Sequence, residues 1–273
     1  MAWEKGSRGS MMLIRLGMPS GSLEDLPQLN ADVPWDEFNP ADYISHNYRT
    51  VLPADAEIIA IVRDHFSDHF RQSPGHPVRG IDVGAGANLY PALAMLPWCE
   101  EITLLDRSKR NVGYLLDQLD SYDTNWDAFW QQLCRNTGYA AYPHDPRGRF
   151  KQIVRVEQGD LMDLAGRQGC WNLGTMFFVA ESLSTSREEF QRAADCFLDY
   201  LEPGAPFAAA FMEESEGYEV GGRRFPACKV RREQIHSSLL DRAEGLRTIR
   251  VGEQDKVREG YTSMIVAHGF RSA

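Results

Sequence analysis

The chain has 273 residues, 43% hydrophobic and 25% charged, enough for one large domain with a sizeable core. Asp and Glu outnumber Lys and Arg by 39 to 29, and the resulting formal net charge of −10 repels phosphate backbones, which argues against nucleic acid as a general partner and for a small or cationic one. No apolar run reaches the roughly 18–20 residues of a membrane-spanning helix, no export signal is expected at the start, and five scattered cysteines without a C-x-x-C pair predict reduced, packed thiols in a cytoplasmic chain.

Residues 1–35, with their Gly and Ser, predict an extended or disordered leader. In "FNPADYISHNY" the Asn39-Pro40 pair opens a turn, and Asp42 is placed to cap a helix. Ile58, Ile59, Ile61, Val62, Phe66 and Phe70 recur at three- and four-residue spacing, predicting an amphipathic helix from Ala54 to Phe70 that "SPGHP" stops. Strands and helices then alternate: Val78–Val83 extended, Tyr90–Leu96 helical, Glu101–Leu105 extended, Ser108–Leu119 helical. Residues 120–150, rich in turn formers, read as an insertion around a short helix. "FKQIVRVEQGD" alternates as a strand, "WNLGTMFFVAES" is a buried one, and Arg187–Leu201 is a helix ended by Pro203-Gly204. "APFAAAFM" is the next strand, a helix falls near Arg231–Arg242, and "LRTIRV" and "YTSMIVAHGF" close the chain as two strands. Such alternation predicts a Rossmann-like doubly wound α/β sheet, mostly parallel, with a C-terminal antiparallel hairpin and an N-terminal helical lid. The expected division is a leader to residue 35 and one domain over 36–273, with the lid at 36–75.

"GIDVGAGANLYPAL" is a strand running through a glycine turn into a helix, a junction that lets a ligand approach the backbone. Ligands of doubly wound sheets bind at the carboxyl ends of the strands. The run Gly84-Ala85-Gly86-Ala87-Asn88-Leu89 has leucine where a dinucleotide fingerprint needs its third glycine, which weakens a nicotinamide-dinucleotide reading. Asp106 closes a strand about 20 residues after Gly86, where a carboxylate accepts from ribose hydroxyls. Asp160 closes the next strand, where it can meet an adenine amino group, and "LEPGAPF" supplies a later Pro-Gly break. In this order the pieces form the series of class I S-adenosyl-methionine-dependent methyltransferases.

From about Phe38 to Phe270 the sequence resembles one group of these, the nicotinamide, phenylethanolamine and indolethylamine N-methyltransferases. "FNPADYISHNY" resembles the family's F-x-P-x-x-Y-L-x-x-x-Y, which folds over the cofactor and implies contacts from Tyr43 and Tyr48. "IDVGAGANLYPAL" resembles D-[IV]-G-[SA]-G-P-T-[IL]-Y-x-x-L, implying that Gly84, Ala85, Gly86 and Tyr90 hold S-adenosyl-methionine; Ala87 and Asn88 depart from it. "LLDRSKRN" resembles D-Y-x-x-x-N, implying Asp106 and Asn111 on the ribose, with Arg107 in place of the usual aromatic. Asp160, Leu161 and Phe178 complete the implied cofactor set. Glu181 in "FFVAESLS" and Glu213 in "FMEESEGYEVGG" match acidic positions of the amine-specific branch, implying a carboxylate pair that attracts an ammonium and removes its proton; Ser215, Tyr218 and Phe225 would line the acceptor pocket.

The expected activity is methyl transfer to an amine or aromatic nitrogen of a small molecule, by a monomer or homodimer. Its rivals are carbon or oxygen transfer, a non-methylating use of the cofactor, a cofactor-binding regulatory module and, more weakly, a nicotinamide dehydrogenase. No Ser/His/Asp or Cys/His constellation is present, and in-line transfer from a sulfonium needs none. His65 and His69 read as helix-surface residues rather than metal ligands. Arg147, Arg149 and Lys151 read as a solvated loop rather than a phosphate site.

Overall fold

The structure, a computed structural model, describes residues 27–72, 78–141, 145–164, 166–252 and 262–273. The first 26 residues of the expected leader, the "SPGHP" stop and the loop joining the last two strands lie outside the described residues.

Seven strands form one sheet, in the order β3-β2-β1-β4-β5-β9-β8. They are β1 (Arg79–Val83), β2 (Glu101–Asp106), β3 (Val154–Gln158), β4 (Leu173–Phe177), β5 (Pro206–Glu213), β8 (Ala243–Val251) and β9 (Ser263–Arg271). The first five are mutually parallel, and β9 runs antiparallel to both β5 and β8. Strand order reverses between β1 and β4, where the crossovers lead to opposite sides and leave a crevice at the carboxyl ends. β1 and β4 are buried almost without alternation because helices cover both faces. One face packs on α2 (Pro53–Gln72), α3 (Tyr90–Met95), α4 (Lys109–Gln118) and α5 (Asn125–Leu133), and the other on α8 (Arg187–Asp199) and α9 (Arg232–Leu240). Among the described residues no helix is long and apolar enough to cross a membrane.

The 120–150 segment holds more helix than expected: α5, then α6 (Thr137–Ala140) and α7 (Pro146–Ile153). Trp126, Phe129 and Leu133 of α5 bury one stripe in the core, so this segment completes a core face. The expected strand at 150–160 begins only at Val154. Asp145 caps α7 by accepting from the Gly148 N–H, Pro146 occupies the first turn, and Phe150 and Ile153 bury on one side, so the helix runs through Ile153. Arg147 pairs with Asp127 at 2.6 Å, Arg149 donates to the Cys99 carbonyl at 2.7 Å, and Lys151 pairs with Asp120 at 2.8 Å. The basic cluster is therefore helical and tied to the protein rather than a solvated loop.

Residues 30–35 depart from the expected leader, because Asn30–Asp32 and Trp35–Glu37 form short 3-10 turns and Asn30 is buried. In α1 (Pro40–Asn47) the cap is Asn39, whose side chain accepts from the Asp42 N–H. Asp42 instead accepts from the Gly221 N–H at 2.6 Å, across a small hairpin of β6 (Tyr218–Val220) and β7 (Arg223–Phe225). His65 is not a surface residue: its Nε2 lies 3.2 Å from the Gly269 carbonyl and its ring centroid 4.5 Å from that of His268. Burial and the neighbouring His268 push its pKa down to about 3.

Candidate active site

The crevice at the carboxyl ends of β1 and β4 opens into a cavity of about 630 Å³. Its floor is the glycine turn. Gly84 and Gly86 adopt φ of +65° and +58°, which a side chain disfavours, and a Cβ on Gly84 would meet the Val179 side chain at 2.6 Å. The Gly86 N–H donates to Asp106 Oδ2 at 2.8 Å, while Oδ1 accepts from the Ser108 N–H at 2.8 Å and Asn111 Nδ2 at 3.2 Å. Burial raises the Asp106 pKa to about 6 against these hydrogen bonds, so the group is mostly ionised at neutral pH.

Asn88, one of the two departures from the family pattern, accepts at Oδ1 from the Tyr90 N–H at 3.2 Å and so caps α3. Its Nδ2 is buried without a partner, as is Asn111 Oδ1, and both residues line the cavity. An unsatisfied donor and an unsatisfied acceptor beside a buried carboxylate suit a polyhydroxylated nucleoside, which can complete all three. Asp82, on β1, accepts from Thr175 at Oδ1 at 2.7 Å, its Oδ2 has no partner, and burial raises its pKa to about 8, so it is mostly protonated at neutral pH.

Most of the expected cofactor residues meet here. Gly84, Ala85, Gly86, Asp106, Arg107, Asn111, Asp160, Leu161 and Phe178 all line the cavity. Tyr43 and Tyr48 line it too, although five-residue spacing separates them on a helix. The helix ends at Asn47, and Tyr48 leaves it at φ −129°, which turns both rings inward with centroids 5.7 Å apart. Tyr90 is the exception. It stacks on Phe129 at 5.6 Å, its edge meets Tyr48, and it backs the wall without reaching the cavity. Phe178 holds a positive φ of 60°, fixed where its N–H donates to the Ala210 carbonyl at 2.6 Å. A bulky residue in that conformation costs about 1–3 kcal/mol, a strain that persists only where surrounding structure enforces it.

The two glutamates separate completely. Met212 lines the cavity, and because successive strand residues point to opposite faces, Glu213 points away from it. There Glu213 accepts from Arg250 Nε at 2.8 Å and Nη2 at 2.9 Å, from the Arg232 N–H at 3.0 Å and from Ser263 Oγ at 2.5 Å. Burial alone would raise its pKa, but these donors together hold it at about 2. It is an anchor between β5, β8 and β9, and it does not face the cavity alongside Glu181 as the sequence predicts.

Glu181 sits in the turn Ala180–Ser182, fully buried just behind the wall: its neighbours Ser182 and Met212 line the cavity, and Glu181 itself does not. Oε1 accepts from the Met212 N–H at 2.9 Å, and Oε2 has no partner. Burial raises its pKa to about 8. Ser215 and Tyr218 line the cavity. Phe225 does not; it lies behind, stacked on Tyr218 at 5.5 Å and on Trp35 at 5.7 Å. The Tyr218 pKa is raised by burial and by the nearby Tyr43, Glu181 and Asp106.

Among the lining residues that were not expected are Asn30, Asp42, His46 and Glu219. Asn30 lies in a stretch whose composition carries no structural signal. Asp42 was read as a cap because it precedes a helical pattern, and only the hairpin brought against it shows its other use.

The chain matches the model of the NNMT/PNMT/TEMT family over residues 27–266. No curated protein matches it in sequence. Among solved structures, the N-methyltransferase NodS from Bradyrhizobium japonicum WM9, in complex with S-adenosyl-L-homocysteine, is similar at 13% identity, over 85% of this chain and 91% of NodS, with a TM-score of 0.50. The CurJ carbon methyltransferase is similar at 11% identity, over 89% of this chain and 62% of its own, with a TM-score of 0.56. At these identities the likeness is one of fold. With the family match covering most of the chain and the cavity offering the polar groups its cofactor needs, the protein belongs to the NNMT/PNMT/TEMT family and is an S-adenosyl-methionine-dependent methyltransferase.

Proposed function

We propose that the acceptor is a small molecule methylated at an amine or aromatic nitrogen. The observation that carries this reading is Glu181, a buried carboxyl with an unpartnered Oε2 beside the acceptor side of the cavity. S-Adenosyl-methionine supplies a sulfonium methyl already activated for transfer. The residues therefore have to bind, orient and keep water away. Asp106 and Asn111 would take the ribose, Asp160 and Arg107 the adenine side, and the Gly84–Gly86 turn the methionine end. Tyr43, Tyr48 and Tyr218 would enclose the acceptor in a dry, aromatic wall.

An aliphatic amine enters mainly as an ammonium and cannot accept a methyl group until its lone pair is free. Glu181 Oε2, one layer behind the wall, would take that proton across a bridging water. A carboxyl with a pKa near 8 is poised for it, and an arriving ammonium favours its ionised form. Glu213 has no part in this step. Incubation with methyl-labelled cofactor and a panel of amines, phenols and heteroaromatics is the test. Label should reach an amine or ring nitrogen; label on oxygen or carbon, or release of methylthioadenosine without transfer, would overturn the reading. On the cofactor side, Asp106→Ala is expected to weaken S-adenosyl-homocysteine binding about a hundredfold. Unchanged affinity by calorimetry would remove Asp106 from the site.

A further inference from the structure

Every polar group of Asn30 is engaged, although no regular element longer than three residues surrounds it. Its N–H donates to Glu189 Oε2 at 2.8 Å, and its Nδ2 donates to Asp160 Oδ2 at 3.3 Å. Its backbone carbonyl accepts from Arg107 Nη1 at 3.1 Å, and its Oδ1 accepts from Trp35 Nε1 at 2.9 Å. Arg107 Nη1 closes the figure on Asp160 Oδ2 at 3.0 Å. Just upstream, the Gln28 N–H donates to Thr185 Oγ1 at 2.9 Å, and the Thr185 N–H donates back to the Gln28 carbonyl at 3.0 Å. Asn30, Arg107 and Asp160 all line the cavity, so the N-terminal turn is part of its wall.

Arg107 stands where the family pattern has an aromatic residue. A guanidinium is planar, so it can hold hydrogen bonds at its edge while offering a face to a purine, which lysine cannot do. The Arg107–Asp160 pair is about one-third exposed, and water competes for it while the cavity is open. A ligand filling the cavity excludes that water and adds a contact to Arg107. Whatever strengthens the pair strengthens the hold on Asn30, and by linkage a docked turn must favour the ligand equally.

We propose that Asn30, Arg107 and Asp160 form a clasp that couples docking of the N-terminal turn, residues 28–35, to occupancy of the cofactor cavity. The proposal rests on the assignment of that cavity to the cofactor. Its test uses the full chain and S-adenosyl-homocysteine, with affinity read by calorimetry and docking read by amide hydrogen exchange over residues 28–35. In the unsubstituted chain the ligand should slow exchange there about tenfold or more. Asn30→Ala and Arg107→Ala should each bind about tenfold more weakly and lose that slowing. Arg107→Tyr, which restores a flat ring but no donor to Asn30, should also lose the slowing and, by the same linkage, bind about tenfold more weakly. Equal slowing in all four proteins, or none in the unsubstituted chain despite binding, overturns the clasp. Undiminished binding by Asp106→Ala would instead overturn the cavity assignment, so the two failures are distinguishable.

Discussion

Glu181→Gln should lower kcat/KM for an amine acceptor by about 10²- to 10³-fold while leaving S-adenosyl-homocysteine affinity within about twofold. Glutamine keeps the size of the side chain, and its carbonyl can still accept from the Met212 N–H, so the turn Ala180–Ser182 has no reason to move. What disappears is the proton acceptor at Oε2. In the unsubstituted enzyme kcat/KM should rise with pH through about 8, as the carboxyl ionises, and Glu181→Gln should lose that limb. Stability supplies an independent reading of the same group. The folded state holds Glu181 protonated at pH values where the unfolded chain, near 4.5, has released the proton. The folded state is therefore penalised progressively as pH climbs from about 4.5 through 8, by an amount on the order of a few kcal/mol at the top of that window. Glu181→Gln escapes the penalty, so its Tm advantage should grow across the same interval and then level off. A variant that turns over amines at the original rate, with an unchanged pH profile, would remove Glu181 from the mechanism.

The second large effect falls on stability and leaves chemistry alone. Glu213→Ala should destabilise the fold by about 3 kcal/mol, because it strips Arg250, Ser263 and the Arg232 N–H of their shared partner and leaves a polar cluster beneath the sheet edge. For a chain of this size that is a fall in Tm of roughly 6–12 °C. The sign of its pH dependence is opposite to that of Glu181. With a folded pKa near 2 against 4.5 in the unfolded chain, Glu213 stabilises fully above about 4.5 and loses that contribution as pH falls toward 2. Glu213→Ala should therefore show a flatter acid limb in thermal melts, with kcat per folded molecule retained. Loss of turnover at a temperature where the variant is fully folded would return Glu213 to the site. Together the two substitutions separate a carboxyl that acts from a carboxyl that holds.

Much of the cofactor side of this site was legible before any coordinates. The alternation of strands and helices, the Gly84–Gly86 turn and the acidic strand ends at Asp106 and Asp160 are local features, each dictated by backbone conformation or by a residue's place at the end of its own strand. The acceptor side was less legible. Glu181 and Glu213 look alike in sequence, both acidic and both just past an apolar run. A single step along β5 separates Met212, which faces the cavity, from Glu213, which faces Arg250. Motif alignment cannot decide that, because strand periodicity is two and one residue of register exchanges the faces.

Sequence alone therefore determined the fold class and the cofactor, since these follow from local pattern. Tertiary structure decided which carboxyl keeps an unpartnered oxygen, that Glu181, Tyr90 and Phe225 lie behind the wall without reaching the cavity, and that the turn around Asn30 lines it. Each of those depends on groups far apart in the chain, Asn30 on Asp160 and Glu213 on Arg250. Only packing can bring such partners into contact.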